Sequence, residues 1–134
     1  MTGHMDMSLQ THSEHTQLSL QGIHLDGQTY SCVAHVRSGW AECHRAFYFD
    51  RHYAENFLEA CVVMNRSFEG HGRLTSEFED QYIQIECDRS GRLTVSGAFI
   101  EHSELPQEMR FAFETDQTVL PSLIQGFQAL LHRS

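Results

Sequence analysis

The apolar residues of this chain change their spacing twice, from every second residue to every third or fourth, and this change constrains the fold most. In each half, segments with alternating apolar residues precede one segment with an apolar stripe. Alternation predicts half-buried strands, and the wider spacing predicts an amphipathic helix lying on them. We therefore expect an α+β fold: an antiparallel meander of about seven strands, with helices near residues 50–68 and 116–132 packed on it.

Glycines mark the turns and irregularities of the predicted strands. Gly22 interrupts the alternation of the first strand, which predicts a β-bulge, and Asp26-Gly27 predicts a two-residue hairpin turn. Residues 88–91 (DRSG) predict a second hairpin loop with glycine in the left-handed position. The polar residues 101–108 predict a loop before the last strand.

Capping residues and glycines also mark the two helices. Asp50 precedes the first apolar stripe, where its carboxylate can accept from free backbone amides, and Gly70 and Gly72 mark the end of that helix. Gly126 lies inside the second stripe. Because glycine costs about 1 kcal/mol against alanine in a helix interior, we expect close packing of the sheet against Gly126.

The length of the chain suits a single hydrophobic core. With 134 residues, 40% of them hydrophobic, the sequence predicts one globular domain over residues 16–134. Residues 1–15 are interpreted as a disordered start, and residues 1–5 resemble a vector remnant. No apolar run reaches membrane-spanning length, and no export signal is recognisable. We therefore expect a cytoplasmic protein without a membrane partner.

The net charge of the chain indicates which class of macromolecule it binds. The formal net charge is -9, and all of the basic side chains besides histidine are arginines, scattered along the chain. This disfavours direct binding of nucleic acid, which needs clustered basic residues, and it favours a basic protein as partner. Net negative charge also keeps a protein soluble, so charge alone leaves that simpler interpretation open.

The residues that carry chemistry lack the spacing of a known site. The 4 cysteines form no CxxC pair, which predicts buried free thiols, and the 10 histidines form no HxH or HExxH pair. His35, Cys43 and His44 could meet across neighbouring strands, but Cys43 and His44 should point to opposite faces. No nucleophile elbow, P-loop or dinucleotide-binding glycine motif occurs. We expect no enzyme, with no catalytic residue, cofactor or metal.

Acidic residues of the second half form the predicted contact surface. They lie on neighbouring predicted strands, their turn and the following loop, where they could meet a basic protein. They are Glu77, Glu79, Asp80, Glu86, Asp88, Glu101 and Glu104. A solvated acidic turn is the simpler interpretation, and a pair of catalytic carboxylates is a third.

Three stretches of sequence carry a resemblance to a known family. They are residues 67–74 (SFEGHGRL), 91–97 (GRLTVSG) and 111–120 (FAFETDQTVL). Together with the order of elements, they make the chain resemble the WapI-type immunity proteins of bacterial contact-dependent and polymorphic toxin systems. The resemblance implies a cytoplasmic protein that binds the C-terminal domain of a cognate toxin and blocks it. Many such toxins are nucleases with basic clefts, which suits the charge of this chain.

Two other classes of function compete with toxin neutralisation. One is a small enzyme that uses a histidine or paired carboxylates, and the other is a ligand-binding or scaffold module without catalysis. A deep polar pocket with convergent histidine and carboxylate groups would favour the enzyme. A toxin gene immediately upstream would favour immunity. The sequence leaves open whether the chain forms a homodimer.

Overall fold

The computed structural model describes residues 4–11, 13, 15–76, 80–101 and 103–133. Within them, eight strands and two α-helices confirm the predicted α+β class. In chain order these are β1 (Met5–Gln10), β2 (Thr16–Asp26), β3 (Thr29–Ser38), β4 (Ala41–Asp50), α1 (Arg51–Ser67), β5 (Gly70–Thr75), β6 (Tyr82–Cys87), β7 (Arg92–Glu101), β8 (Gln107–Asp116) and α2 (Leu120–Arg133), with a 3-10 turn, Gln117–Val119, before α2.

The strands form two sheets, where the sequence predicts one. The first sheet has the order β1-β2-β3-β4 and the second β5-β6-β7-β8, with every pair antiparallel. After α1 the chain does not return to the edge of the first sheet, because β5 lies directly against α1. At Gly72 of β5, a Cβ atom would lie only 2.8 Å from Ala60 Cβ of α1. The predicted single meander is therefore divided into two sheets at α1, which packs against β5.

The strand β1 corrects the prediction for the start of the chain. The sequence predicts a disordered segment before residue 16, but Met5–Gln10 pair with β2, and Leu9 lies opposite Leu18. The side chains of Met7 and Leu9 are buried in the core. This strand accounts for the difference between the predicted seven strands and the observed eight.

The predicted irregularity of β2 and the first hairpin are confirmed. Gly22 has a φ of 63° at a register shift between β2 and β3, as a bulge requires. The first hairpin turn is centred on Gly27 and Gln28. It lies one residue later than predicted, because Asp26 already pairs with Thr29.

The start of α1 was predicted correctly, and its end was predicted wrongly. Asp50 is the N-cap, and its Oδ1 accepts from Tyr53 N at 2.9 Å. The helix ends at Ser67, where Phe68 adopts a left-handed conformation with φ 61°. Gly70 and Gly72 belong to β5, so they do not end the helix.

The core lies where both helices meet the inner faces of both sheets. Phe127 of α2 contacts Phe57 of α1, with ring centroids 5.2 Å apart, and Phe49 of β4 at 6.4 Å. Close packing at Gly126 is observed: a Cβ there would lie 2.6 Å from Met7 Sδ of β1. Neither helix in the described ranges has the length and hydropathy that a membrane crossing requires.

Candidate functional site

The β3–β4 hairpin presents an open row of paired side chains to solvent. Its turn consists of Gly39, with φ 64°, and Trp40, closed by the pair Ser38 and Ala41. This turn sets the register, so residues equally far from it lie opposite each other. On the outer side the pairs are Arg37 with Glu42, His35 with His44, Val33 with Ala46, and Ser31 with Tyr48. We call these eight residues, together with Trp40 at the tip, the hairpin face.

At the centre of the hairpin face, three side chains bring their polar atoms together. His35 Nε2 lies 2.7 Å from Glu42 Oε1, and His44 Nε2 lies 3.7 Å from the same oxygen. The two imidazole rings stack with centroids 4.0 Å apart and planes inclined by 9°. One donor atom from each side chain lies within 4.8 Å of the other two. Two imidazoles and a carboxylate are donors that transition metals accept.

Electrostatics favour the ionised form of Glu42 at this position. A hydrogen bond with His35 lowers the pKa of the Glu42 carboxyl group, and the charges of Arg37, His35 and His44 act in the same direction, against a smaller effect of desolvation. Arg37 Nη2 lies 3.7 Å from Glu42 Oε2. The carboxylate therefore turns one oxygen towards the imidazoles and the other towards a guanidinium.

Apolar and aromatic side chains continue the hairpin face on both sides of the histidines. Trp40 at the turn is 98% exposed, and Tyr48 and Val33 are 47% and 42% exposed. A wholly exposed tryptophan gains nothing from the core, and tryptophan and tyrosine are enriched where proteins bind one another. The hairpin face thus combines rigid strands with side chains typical of contact surfaces.

The predicted acidic contact residues do not form one surface. Asp80 precedes β6 and Glu101 ends β7, and these ends are joined because Ile100 N donates to Gln81 Oε1 at 3.0 Å. The exposed Glu104 follows in the β7–β8 loop. Glu86 and Asp88 lie towards the other end of β6, roughly 20 Å away at about 3.3 Å per residue. Glu77 and Glu79 lie outside the described residues.

The side chain of Asp88 accepts hydrogen bonds within the β6–β7 turn. Its Oδ1 accepts hydrogen bonds from Ser90 N at 2.9 Å, Ser90 Oγ at 2.6 Å and Arg92 N at 3.1 Å. The Ser90 hydroxyl chiefly lowers the pKa of Asp88, with further backbone bonds acting alongside it. Asp88 therefore shapes the turn. Of the predicted contact residues, the half-buried Asp80 and the exposed Glu101 and Glu104 lie together at the opposite end of the second sheet.

The cysteines are free, and their surroundings disfavour thiolate chemistry. Burial raises the pKa of Cys32 and of Cys61 to about 12. Burial also raises the pKa of Cys43 and of Cys87. A nucleophilic cysteine needs the opposite shift, which a nearby positive charge or a helix N-terminus supplies.

Three hollows bordered by described residues contain neither histidine nor cysteine. A cavity of about 20 Å³ between helices and sheets is lined mostly by apolar core residues such as Leu18, Ile85 and Phe127. An open hollow of about 330 Å³ lies between Ser8 of β1 and the start of α2. Another, of about 430 Å³, lies between the β6–β7 turn and the end of β8, where it is lined by Arg92, Glu114 and Asp116. The one convergent set of histidine and carboxylate found among the described residues is therefore the set on the hairpin face, which lies in the open.

No family model matches the chain, and no curated protein and no solved structure matches it significantly.

Proposed function

We propose that this chain is an immunity protein that binds a basic toxin domain in the cytoplasm and neutralises it stoichiometrically. The observation that carries the proposal is Trp40, a 98% exposed tryptophan at the tip of a regular hairpin. The resemblance to WapI-type immunity proteins supports the same class of function. A cognate toxin with nuclease activity and a basic cleft would suit a chain of net charge -9.

Trp40 suits the role of an anchor because its backbone is held in place. The Ser38–Ala41 pair closes the turn, and Ser38 Oγ donates to the Ala112 carbonyl oxygen of β8 at 3.3 Å. An anchor on a fixed backbone loses little conformational entropy when it binds. Burial of its indole against a partner would remove a large apolar area from water.

The acidic residues at one end of the second sheet are suited to speeding the association with a basic partner. Asp80, Glu101 and Glu104 lie at one end of the second sheet, and Leu105 beside them is 81% exposed. Carboxylates at the edge of an interface mainly steer a basic partner, whereas buried aromatic side chains hold it. We therefore assign the affinity to the hairpin face and the steering to this acidic end.

The enzyme alternative has less support from the described residues. The histidine and carboxylate set lies on an open strand face, whereas electrostatic stabilisation of a transition state is strongest in a site that excludes water. A ligand-binding module would need a concave, mostly apolar pocket large enough for a small molecule, of some 300 Å³ or more. The apolar cavity of about 20 Å³ is far below that size, and the hollows of about 330 and 430 Å³ are open and lined mostly by polar residues.

Replacement of Trp40 tests the anchor. In cells that co-express the chain with the toxin encoded beside its gene, Trp40→Ala should abolish protection, and the purified variant should bind at least about 30-fold more weakly, as for an interface hot spot. Folding should be unchanged within about 0.5 kcal/mol, because the side chain is fully exposed. Val63→Ala on α1, half exposed, is the matched control. Wild-type protection and affinity in Trp40→Ala would exclude the hairpin tip as the anchor.

Charge reversal tests the steering role. The double variant Glu101→Arg, Glu104→Arg should slow association on the order of tenfold at low salt, and the difference should shrink near 0.15 M salt, where the Debye length is about 8 Å. The double variant Glu55→Arg, Glu59→Arg on α1 changes the net charge equally and is the control. Stopped-flow association rates at several salt concentrations measure both. Equal slowing in the two variants would show that only net charge matters.

A further inference from the structure

We infer that His35, Glu42 and His44 form a binding site for one divalent transition metal ion of the zinc type on the hairpin face. The inference is independent of the proposed immunity function. It departs from the sequence-based expectation of no metal, which rested on the spacing of histidines along the chain.

The register of the hairpin explains why these residues converge. His35 and His44 are directly opposite each other on β3 and β4, and Glu42 lies two residues from His44 on the same strand. Residues two apart in a strand share one face, and directly opposed side chains are about 5 Å apart at Cβ. The Gly39–Trp40 turn holds this register, so the three side chains lie side by side before any ion binds.

The donor distances suit an ion once the stacked imidazole rings, whose planes are inclined by only 9°, tilt so that both Nε2 lone pairs point at it. Zinc lies about 2.0–2.2 Å from nitrogen and oxygen ligands in a tetrahedron, so neighbouring donor atoms are about 3.4 Å apart. Here Glu42 Oε1 lies 2.7 Å from His35 Nε2 and 3.7 Å from His44 Nε2. Movements of less than about 1 Å would equalise the two distances. On binding, His35 would carry its hydrogen on Nδ1, because Nε2 must offer its lone pair to the ion.

The site provides three protein ligands and leaves a fourth position to solvent. The side chain of His35 is 15% exposed and those of Glu42 and His44 are 43% and 58% exposed, so an ion would enter from the open side. A water molecule would complete a tetrahedron, as in sites that keep one position open. Donors of imidazole and carboxylate type favour zinc, copper or nickel over calcium or magnesium.

Arg37 is the charge that opposes the ion. Its guanidinium lies 3.7 Å from Glu42 Oε2 and so competes for the same carboxylate. Removal of this positive charge in Arg37→Gln should therefore strengthen metal binding by roughly two- to tenfold, from Coulomb repulsion in a solvent-exposed setting. Tighter metal binding in Arg37→Gln would not result from a general disturbance of the surface, which would weaken binding.

The test titrates the purified chain, without a histidine tag and after removal of bound metal, with Zn²⁺ alone in a calorimeter. We expect one saturable site per chain, weakened at least about tenfold in His35→Ala, His44→Ala and Glu42→Gln. His52→Ala, which removes an exposed histidine from α1, should bind as the wild type does. Imidazole NMR signals of His35 and His44 should shift on addition of Zn²⁺.

Two results would overturn the inference. One is the absence of saturable binding by the wild type, and the other is unchanged affinity in His44→Ala with its fold intact by circular dichroism. The second result could be accompanied by loss of binding in His24→Ala. That pattern would place the ion at His4 and His24, whose rings contact each other at 5.2 Å.

Discussion

Phe49→Ala is expected to lower the free energy of unfolding by about 3–5 kcal/mol. Phe49 is fully buried, and its ring stacks on Tyr30 with centroids 5.3 Å apart and lies 6.4 Å from Phe127 of α2. The truncation removes contacts with both a neighbouring strand and a helix, and it leaves a cavity that this close-packed core cannot fill. Equilibrium unfolding in urea measures the loss.

Tyr48→Ala is the matched control for Phe49→Ala. Tyr48 precedes Phe49 on β4, is also aromatic, and is 47% exposed on the opposite face. Its removal should cost less than about 1 kcal/mol, within the range for surface changes and lost cross-strand contacts. A Phe49→Ala variant that unfolds at the same urea concentration as the wild type would contradict the observed burial.

Gly97→Ala is expected to destabilise the chain by about 3 kcal/mol, near the upper end for overpacking. In a strand interior alanine normally gives a more stable fold than glycine by roughly 0.5–1 kcal/mol. A loss of stability in Gly97→Ala would therefore show that the clash of the added Cβ atom outweighs this gain. At Gly97 of β7 a Cβ atom would clash with the Tyr82 carbonyl oxygen and lie 2.7 Å from the Phe111 ring. Thermal and urea unfolding of the variant measure the effect.

A second substitution separates the two contacts at Gly97. Phe111 is the direct cross-strand partner of Gly97, and its ring covers the space where a side chain would stand. In Gly97→Ala, Phe111→Leu, the ring contact is relieved and the contact with the backbone oxygen of Tyr82 remains. The double variant should therefore stay less stable than Phe111→Leu alone. If both have the same stability, the backbone contact imposes no cost.

Local elements of this fold were predictable because side-chain burial repeats with local geometry. Alternation predicted β6 and β7, and the two stripes predicted α1 and α2 to within a few residues. Strand β1 was missed although Met5, Met7 and Leu9 alternate, because the segment was interpreted as a disordered start that includes a vector remnant. The division into two sheets could not be predicted in this way, since hydrogen bonds between distant strands leave no local period in the sequence.

The cluster of His35, Glu42 and His44 was also missed, because its residues come together only through the pairing of two strands. Cys43 precedes His44 in the sequence, and as predicted the two side chains point to opposite faces of β4. The third polar partner is Glu42, on the same face as His44. Counting outwards from the Gly39 turn would have placed Glu42 and His35 beside His44. The exposure of Trp40 had no such signal, because apolar turn residues occur both buried and exposed.

The contact of Gly126 with Met7 joins the last helix to the first strand. During synthesis the chain emerges from its N-terminus, so β1 is available long before α2 exists. Until α2 has left the ribosome, Met7 lacks the helix that packs against it, and the core lacks Leu120, Leu123 and Phe127. Such closure between distant segments slows folding, because loop entropy is lost before the contacts form. A ribosome-bound chain that stops short of α2 would thus expose an apolar surface that chaperones recognise.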